Sequence, residues 1–212
     1  MIRTGLIRTR SRWVGVGAAL ILAACASAPL HYYTLIAPAG ESAGASPAAN
    51  GSSLPFELLS VGIPAQVDQP QLVVREGGQA VALLNGERWI APLGDEVRGA
   101  LSADLERALH SQDVSGLPAS DKPMLRIKLD LRRFDSQPGS YALIEGNWSV
   151  RVLHGGAEAG AVACSSRVSE SVGPGYDALV QGHQRAIEQL AGQIAAAANA
   201  LASDQAATCP AQ

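Results

Sequence analysis

One stretch of strict alternation constrains the fold of this chain more than any other feature. From Leu125 to Arg132 every second residue is leucine or isoleucine, and every residue between them is charged. Successive side chains of a β-strand point to opposite faces, so the pattern predicts a strand with one buried and one solvated face. Such a strand needs partners in a sheet and a cover on its apolar side.

Two more strands follow the alternating one. Pro138-Gly139, within residues 136–140, predicts a turn into a second strand, and the glycines of residues 155–160 predict another turn. In the third strand Val162, Cys164 and Val168 share the inward phase, so Cys164 is expected to lie against the core.

Residues 56–63, 71–76 and 79–84 have the composition of three earlier strands. Gly77-Gly78 separates the last two, and a two-residue glycine connection is typical of a β-hairpin because glycine adopts positive φ freely.

Two helices are predicted from apolar residues at helical spacing. The first opens at Pro92 and ends near His110, and the second extends from about Tyr176 to Leu201, with His183 on its apolar face. The order of elements favours an α+β fold with a mixed or mainly antiparallel sheet of about six strands packed with two long helices. Element order also allows a βββα pseudo-repeat.

The N-terminus has the features of a lipoprotein signal peptide. Four arginines precede an apolar run from Trp13 to Ala24, which is too short to span a bilayer comfortably and ends in Leu22-Ala23-Ala24-Cys25, the order of a lipobox. We therefore expect residues 1–24 to be removed and Cys25 to be acylated, for example with palmitate. The alternative is an ordinary signal peptide that has a cysteine near its end by chance.

The interpretation divides the chain into three parts: the signal peptide of residues 1–24, a lipidated N-terminus with a short strand and a flexible linker over residues 25–53, and a periplasmic domain over residues 54–212. Residues 37–53 are almost entirely Ala, Gly, Ser, Pro and Asn. They could let the domain stand away from the membrane if residues 30–36 are not themselves docked.

The charge balance argues against a nucleic-acid partner. The chain has sixteen basic and nineteen acidic residues, and losing the four N-terminal arginines leaves twelve against nineteen, a net charge of −7. Neutralising phosphates requires a basic surface.

Two cysteines remain after Cys25. An exported protein meets an oxidising compartment, so a disulfide between Cys164 and Cys209 is expected. The alternative is a buried thiol at Cys164 and a loose one in the tail.

No pattern of residues indicates catalysis, a cofactor or a metal site. The histidines are scattered, and no serine or cysteine stands in a nucleophile motif. Asp130, Asp135 and Glu145 on neighbouring strands could approach as a carboxylate pair, but exposed charges beside Arg126, Arg132 and Arg133 are favoured.

Short motifs in a fixed order resemble one known family. They are Cys25-Ala26-Ser27, Tyr32-Tyr33-Thr34-Leu35, Val61-Gly62-Ile63-Pro64, residues 68–75, residues 88–93, Phe134, Trp148 and residues 176–180. Together the chain resembles the ABC-type transport auxiliary lipoproteins, typified by the paraquat-inducible, PqiC-like membrane-integrity lipoproteins.

The resemblance implies a non-enzymatic, lipid-anchored adaptor facing the periplasm from the outer membrane. Its implied partners are a protein with a mammalian-cell-entry (MCE) domain and an inner-membrane permease, in a system that moves lipids between the two membranes. Ala26 rather than Asp after Cys25 is compatible with sorting to the outer membrane. Alternatives are a periplasmic carrier that binds phospholipid in an apolar groove between sheet and helices, and a hydrolase. A homo-oligomer is also compatible with the sequence.

Overall fold

The structure, a computed structural model, describes residues 29–38, 54–118 and 121–210. The signal peptide, Cys25 and most of the predicted linker lie outside the described residues. The folded unit comprises His31–Gln212. Its elements in chain order are β1 (His31–Tyr33), β2 (Phe56–Leu58), β3 (Gln71–Gly77), β4 (Ala80–Trp89), α1 (Leu93–Leu109), β5 (Met124–Gln137), β6 (Tyr141–His154), β7 (Ala157–Ser171) and α2 (Tyr176–Ala202).

The strands form two mixed sheets. A three-stranded sheet has the order β1-β4-β3, and a four-stranded sheet has the order β2-β5-β6-β7. β1 pairs parallel with β4 and β2 parallel with β5, whereas the hairpin neighbours are antiparallel. The predicted α+β class with two long helices is confirmed. The pairing does not repeat a βββα unit, because β2 from the first half joins the sheet of the second half.

The long hairpin of β5 and β6 contains an irregularity that matters for the surface. The register shifts between Leu131 and Arg133, so one extra residue stands in β5. Before this bulge the odd-numbered residues of β5 face inward, and after it Phe134 and Ser136 do. A bulge bends the strand and changes which side chains reach each face. Arg133 and Asp135 are thereby directed to the outer side.

The helices cover the inner face of the four-stranded sheet. α2 packs on β6 and β7, and α1 packs against α2. The side chains at this interface have no exposed surface, and they include Leu101, Leu105, Leu109, Leu125, Ile127, Leu129, Val150 and Ile194. Each buried Leu or Ile contributes about 1.5–3 kcal/mol to folding. This interface is therefore the main source of stability. Neither helix in the described part of the chain has the length and apolar character needed to cross a bilayer.

The close approach of α2 to the sheet requires a glycine at one position. A Cβ on Gly182 would lie 2.2 Å from Cγ1 of Val172 and 3.0 Å from Cβ of Ala142. Because packed interiors leave no room for an additional methyl group at such distances, glycine sets the helix–strand separation here.

The predicted strand over residues 56–63 is shorter in the structure. It ends at Leu58, after which Gly62 forms a single bridge to Asp130. The backbone still follows β5, since the amide of Leu59 donates to the carbonyl of Ile127 and the amide of Gly62 to that of Leu129. Glycine permits this close approach, because a Cβ on residue 62 would lie 2.5 Å from Oδ1 of Asp130.

The two cysteines of the folded unit are joined. The Cys164–Cys209 disulfide links β7 to the tail that follows α2, across a sequence separation of 45. Cys164 faces the core with 8% of its surface exposed, whereas Cys209 is exposed. The bond thus fixes the C-terminal tail at the edge strand of the four-stranded sheet.

Candidate functional site: the outer face of the three-stranded sheet

The segment that follows the predicted lipidation site is docked on the domain. His31 pairs with Glu87 in the parallel β1–β4 ladder. The carboxylate of Glu87 binds Nδ1 of His31 at 3.0 Å and accepts a hydrogen bond from the hydroxyl of Tyr33 at 2.7 Å. These two hydrogen bonds, from His31 first and Tyr33 second, lower the pKa of Glu87, while burial and the same carboxylate raise the pKa of Tyr33.

A buried carboxylate on α1 holds the next residues. Glu96 is only 3% exposed, and its Oε2 accepts hydrogen bonds from Oγ1 of Thr34 and from the amide of Leu35, each at 2.8 Å. Leu35 is itself 1% exposed. Residues 31–36 therefore belong to the folded unit, and residues 39–53 come after β1 rather than between it and Cys25.

The β3–β4 hairpin has two faces of different character. Its inner side chains, including Val74, pack on a small cluster with Ala142, Val172 and Leu179. On the outer side Val73 stands opposite Leu83, and Arg75 opposite Val81. We call these four residues the hairpin face. Val81 is 53% exposed and Leu83 48% exposed, a large apolar exposure for adjacent positions on one strand.

A crevice lies between the hairpin face and the bulged part of β5. Its volume is about 310 Å³. Its apolar lining includes Val67, Val73, Val81, Leu83 and Phe134, and its charged lining comprises Arg75, Arg132, Arg133 and Asp135. Three arginines and a single carboxylate thus line the crevice of a chain whose net charge is negative.

The crevice charges are only partly compensated. Asp135 accepts hydrogen bonds from Nε of Arg75 at 2.6 Å and from a terminal guanidinium nitrogen of Arg133 at 2.7 Å. Burial alone would raise the pKa of Asp135, but both arginines outweigh it and lower that pKa, so the carboxylate is ionised. Arg132 forms no ion pair among the residues that the structure describes. Arg132 is therefore a cation free to bind an anion beside the apolar hairpin face.

The floor of the crevice is an aromatic group at the junction of the two sheets. The ring of Phe134 stacks on His183 with centroids 3.9 Å apart, and Trp89 meets Phe134 edge-on at 6.1 Å. His183 is fully buried, with Nε2 2.8 Å from Oγ of Ser136, and Nδ1 has no hydrogen-bond partner within the part of the chain that the structure describes. Burial lowers the pKa of His183 to about 3, so the ring is neutral. His183 is therefore a core residue, as its position on the apolar face of α2 predicts.

The carboxylates considered for catalysis each meet a basic residue. Asp130 pairs with Lys128, Asp135 with Arg75 and Arg133, and Glu145 with Arg167. Each is thus a member of an ion pair, but Asp135 is buried with 9% of its surface exposed, so it is not the exposed charge that the sequence predicted. Within the described residues, no three His, Cys, Asp or Glu side chains are grouped as metal ligands.

The sequence contained one signal for the hairpin face that the strand prediction alone did not use. The outward positions of β5 before the bulge are Arg126, Lys128 and Asp130, whereas those of β4 are Val81 and Leu83. Apolar side chains at both inward and outward positions of an edge hairpin indicate a second covered face. The position of Arg132 and Arg133 beside the hairpin face could not be predicted from sequence, because it depends on the bulge in β5.

Comparison with solved structures agrees with this fold. The chain is similar to an uncharacterized protein in a crystal structure, with a TM-score of 0.60 and 20% identity over 79% of this chain and 97% of that one. It is also similar to a Xanthomonas campestris protein from a domain family of unknown function, with a TM-score of 0.53 and 16% identity over 79% and 93%. At these identities the likeness shows the fold alone. Comparison with curated protein sequences gave no match.

Comparison with protein families identifies the chain. Residues 33–195 match the family described as the ABC-type transport auxiliary lipoprotein component. The matched region begins in β1 and ends within α2, so it contains both sheets and the crevice. The resemblance carried by the sequence motifs is thereby confirmed. The chain belongs to the ABC-type transport auxiliary lipoprotein family.

Proposed function

We propose that this lipoprotein is a non-enzymatic adaptor that holds an MCE-domain protein and its inner-membrane ABC permease in a lipid-transport system between the two bacterial membranes. The family match over residues 33–195 carries the proposal, because that family consists of auxiliary components of ABC-type transport. An auxiliary component acts through a surface and a location rather than through a reaction.

The proposed location is the periplasmic leaflet of the outer membrane. Cleavage after residue 24 leaves Cys25 as an acylated N-terminus followed by Ala26. Each buried acyl CH₂ contributes about 0.8 kcal/mol, and two or more chains make anchoring stable. In this arrangement the lipid fixes where the adaptor stands.

The packing of the domain supports an adaptor that binds on its outside. The helix–sheet interface is filled by side chains such as Leu105, Ile127 and Ile194, each without exposed surface. A partner therefore meets the outer faces of the sheets or the exposed side of the helices.

The adaptor function is tested by crosslinking in intact cells followed by affinity purification. We expect the acylated protein to recover an MCE-domain protein or a permease subunit. The Cys25→Ser variant should fold and be exported but recover much less of either, because it lacks the anchor. Recovery of neither component by the acylated protein would contradict the adaptor function, and equal recovery by both forms would contradict the role of the anchor.

A second candidate function is that of a lipid carrier, and the crevice favours it. Small-molecule pockets have volumes of roughly 300–1,000 Å³, and the crevice reaches about 310 Å³ with apolar walls and an arginine surplus. The carrier's groove would then lie between the sheets instead of beneath the helices. Mass spectrometry of the purified protein should find co-purifying phospholipid, which Phe134→Ala or Leu83→Asp would reduce. A protein free of lipid would exclude the carrier function.

A further inference from the structure

We propose that the hairpin face (Val73, Arg75, Val81 and Leu83), together with Arg132 and Arg133, rests on the lipid surface that holds the acyl anchor. The expected partner is a bilayer containing anionic phospholipid. The inference depends on the acylation of Cys25 proposed above, and it adds an orientation: one side of the domain lies against the membrane, and the helices and the rest of the four-stranded sheet remain accessible to proteins.

The length of the tether limits how far the domain can stand from the membrane. His31 is six positions after Cys25 in the sequence, and a fully extended chain of that length spans at most about 21 Å. His31 is fixed in β1, and Glu96 holds Thr34 and Leu35 behind it. The small-residue segment 39–53 follows β1 in the chain, so it adds nothing to this reach.

The parallel pairing of β1 with β4 gives the tether a direction. Because His31 lies opposite Glu87 and both strands run the same way, the N-terminal end of β1 and the turn of the β3–β4 hairpin point to the same side. Val81 precedes Glu87 by six residues, which is about 20 Å along a strand. The greatest reach of the tether thus equals the length of β4 between Glu87 and Val81, so the lipid surface can lie no farther from His31 than about that length.

The chemistry of the hairpin face fits an anionic lipid surface. Val81 and Leu83 expose about half of their surface, and Arg132 has no ion pair among the described residues. By contrast, Lys128 and Arg151, farther along the outer face of the four-stranded sheet, are compensated by Asp130 and Glu158. Apolar side chains enter the headgroup boundary, and basic side chains beside them are attracted to anionic lipids.

Depth-dependent quenching in reconstituted vesicles tests the proposal. The acylated mature protein, from Cys25 onward, would be reconstituted into vesicles of phosphatidylethanolamine and phosphatidylglycerol, with brominated phospholipid as quencher. Leu83→Trp places a fluorescent reporter on the hairpin face. Ala161→Trp places a matched reporter at an exposed position of β7, in the four-stranded sheet. Trp89 and Trp148 are buried in both proteins and give a common background. We expect quenching and a blue shift for Leu83→Trp and neither for Ala161→Trp.

The basic contribution is tested by one further pair of variants in the Leu83→Trp background. Arg132→Gln should reduce the docked-to-undocked ratio roughly fivefold, the effect of one arginine at an anionic surface. Arg151→Gln, which removes an arginine from the four-stranded sheet, should leave it unchanged. Replacing phosphatidylglycerol with phosphatidylcholine should remove the difference between the two variants.

The outcomes separate the anchor from the docking surface. If the protein does not float with the vesicles, the acyl anchor is wrong, and the docking proposal fails with it. If it floats but both reporters are quenched equally or not at all, the anchor stands and the docking proposal is overturned. A blue shift of Leu83→Trp that already occurs in detergent and grows with protein concentration would show that a second copy covers the hairpin face, which also overturns it.

Discussion

The two sheets of this protein differ in how their faces are covered. Three strands of the four-stranded sheet have 14 or 15 residues each and lie side by side, with one face under the helices and the other occupied by ion pairs. The three-stranded sheet contains a strand of only three residues and exposes Val81 and Leu83. The first sheet thus satisfies most of its own side chains, with Arg132 at the bulge of β5 as the exception, whereas the second leaves apolar side chains for something else to cover. Stability and interaction are therefore assigned to different parts of the fold.

The largest effect should come from truncating a side chain beneath the helices. Ile127 has no exposed surface and packs in the main core, so Ile127→Ala should lower the free energy of unfolding by about 2–5 kcal/mol. Leu83→Ala on the hairpin face should change it by less than about 0.5 kcal/mol. Urea denaturation followed by circular dichroism measures both. A comparable loss in the two variants would show that the hairpin face is covered within the domain, and the contrast between the sheets would disappear.

Opening the disulfide should have the next largest effect. Closing a loop of 45 residues stabilises the folded state by up to about 4 kcal/mol in the chain-entropy model. We expect a fall in melting temperature for the double substitution Cys164→Ala with Cys209→Ala, and the same fall for the natural protein in a reductant. The reductant should have no effect on the double variant. Unchanged melting after reduction would mean that the tail adds nothing to the four-stranded sheet.

The attachment of β1 depends on one buried carboxylate. Glu96→Ala leaves the hydroxyl of Thr34 and the amide of Leu35 without their acceptor, and an unmade buried hydrogen bond costs about 1–3 kcal/mol. Hydrogen exchange at residues 31–36 should therefore accelerate, with little change in β5 and β6. Asp95→Ala, which removes an exposed carboxylate from the same turn of α1, is the matched control. Equal exchange in the two variants would show that β1 is held by its pairing with β4 alone.

The individual strands and helices could be predicted from local sequence patterns, but the arrangement of the strands into two sheets could not. The alternation around Ile127 and the helical spacing after Pro92 gave correct strands and a helix that begins and ends at the expected residues. Periodicity reports which face of an element is buried, but not which sheet a strand joins. The separation into two sheets therefore could not be derived from it.

The site was less accessible to sequence reasoning than the fold. The docking of β1 depends on Glu96, a residue 61 positions from Leu35 that reads as an ordinary first-turn acid. The crevice depends on the extra residue in β5, which brings Arg133 and Asp135 to the outer side. A one-residue register shift reverses which side chains face the core, and the alternating sequence pattern around it does not predict such a shift.

The pH dependence of stability tests the junction where the two sheets meet. His183 lies under Phe134 and Trp89, and burial lowers its pKa from 6.5 to about 3. Below pH 6.5 His183 is protonated in the unfolded chain but stays neutral in the folded one. This histidine therefore makes the free energy of unfolding fall as the pH falls toward 3. Asp104 acts in the opposite direction, because burial raises its pKa to about 6 and the folded chain binds its proton first.

Replacing the histidine isolates its share of that dependence. His183→Gln keeps a polar group near Ser136 but cannot titrate, so its stability should decline less on acidification, by at most about 1.4 kcal/mol per pH unit. Asp104 and the other carboxylates are common to both proteins and cancel in the difference. Urea denaturation from about pH 7 to about pH 4 gives the two slopes. Parallel slopes would mean that water reaches the ring of His183 and that the aromatic floor does not seal the crevice from the core.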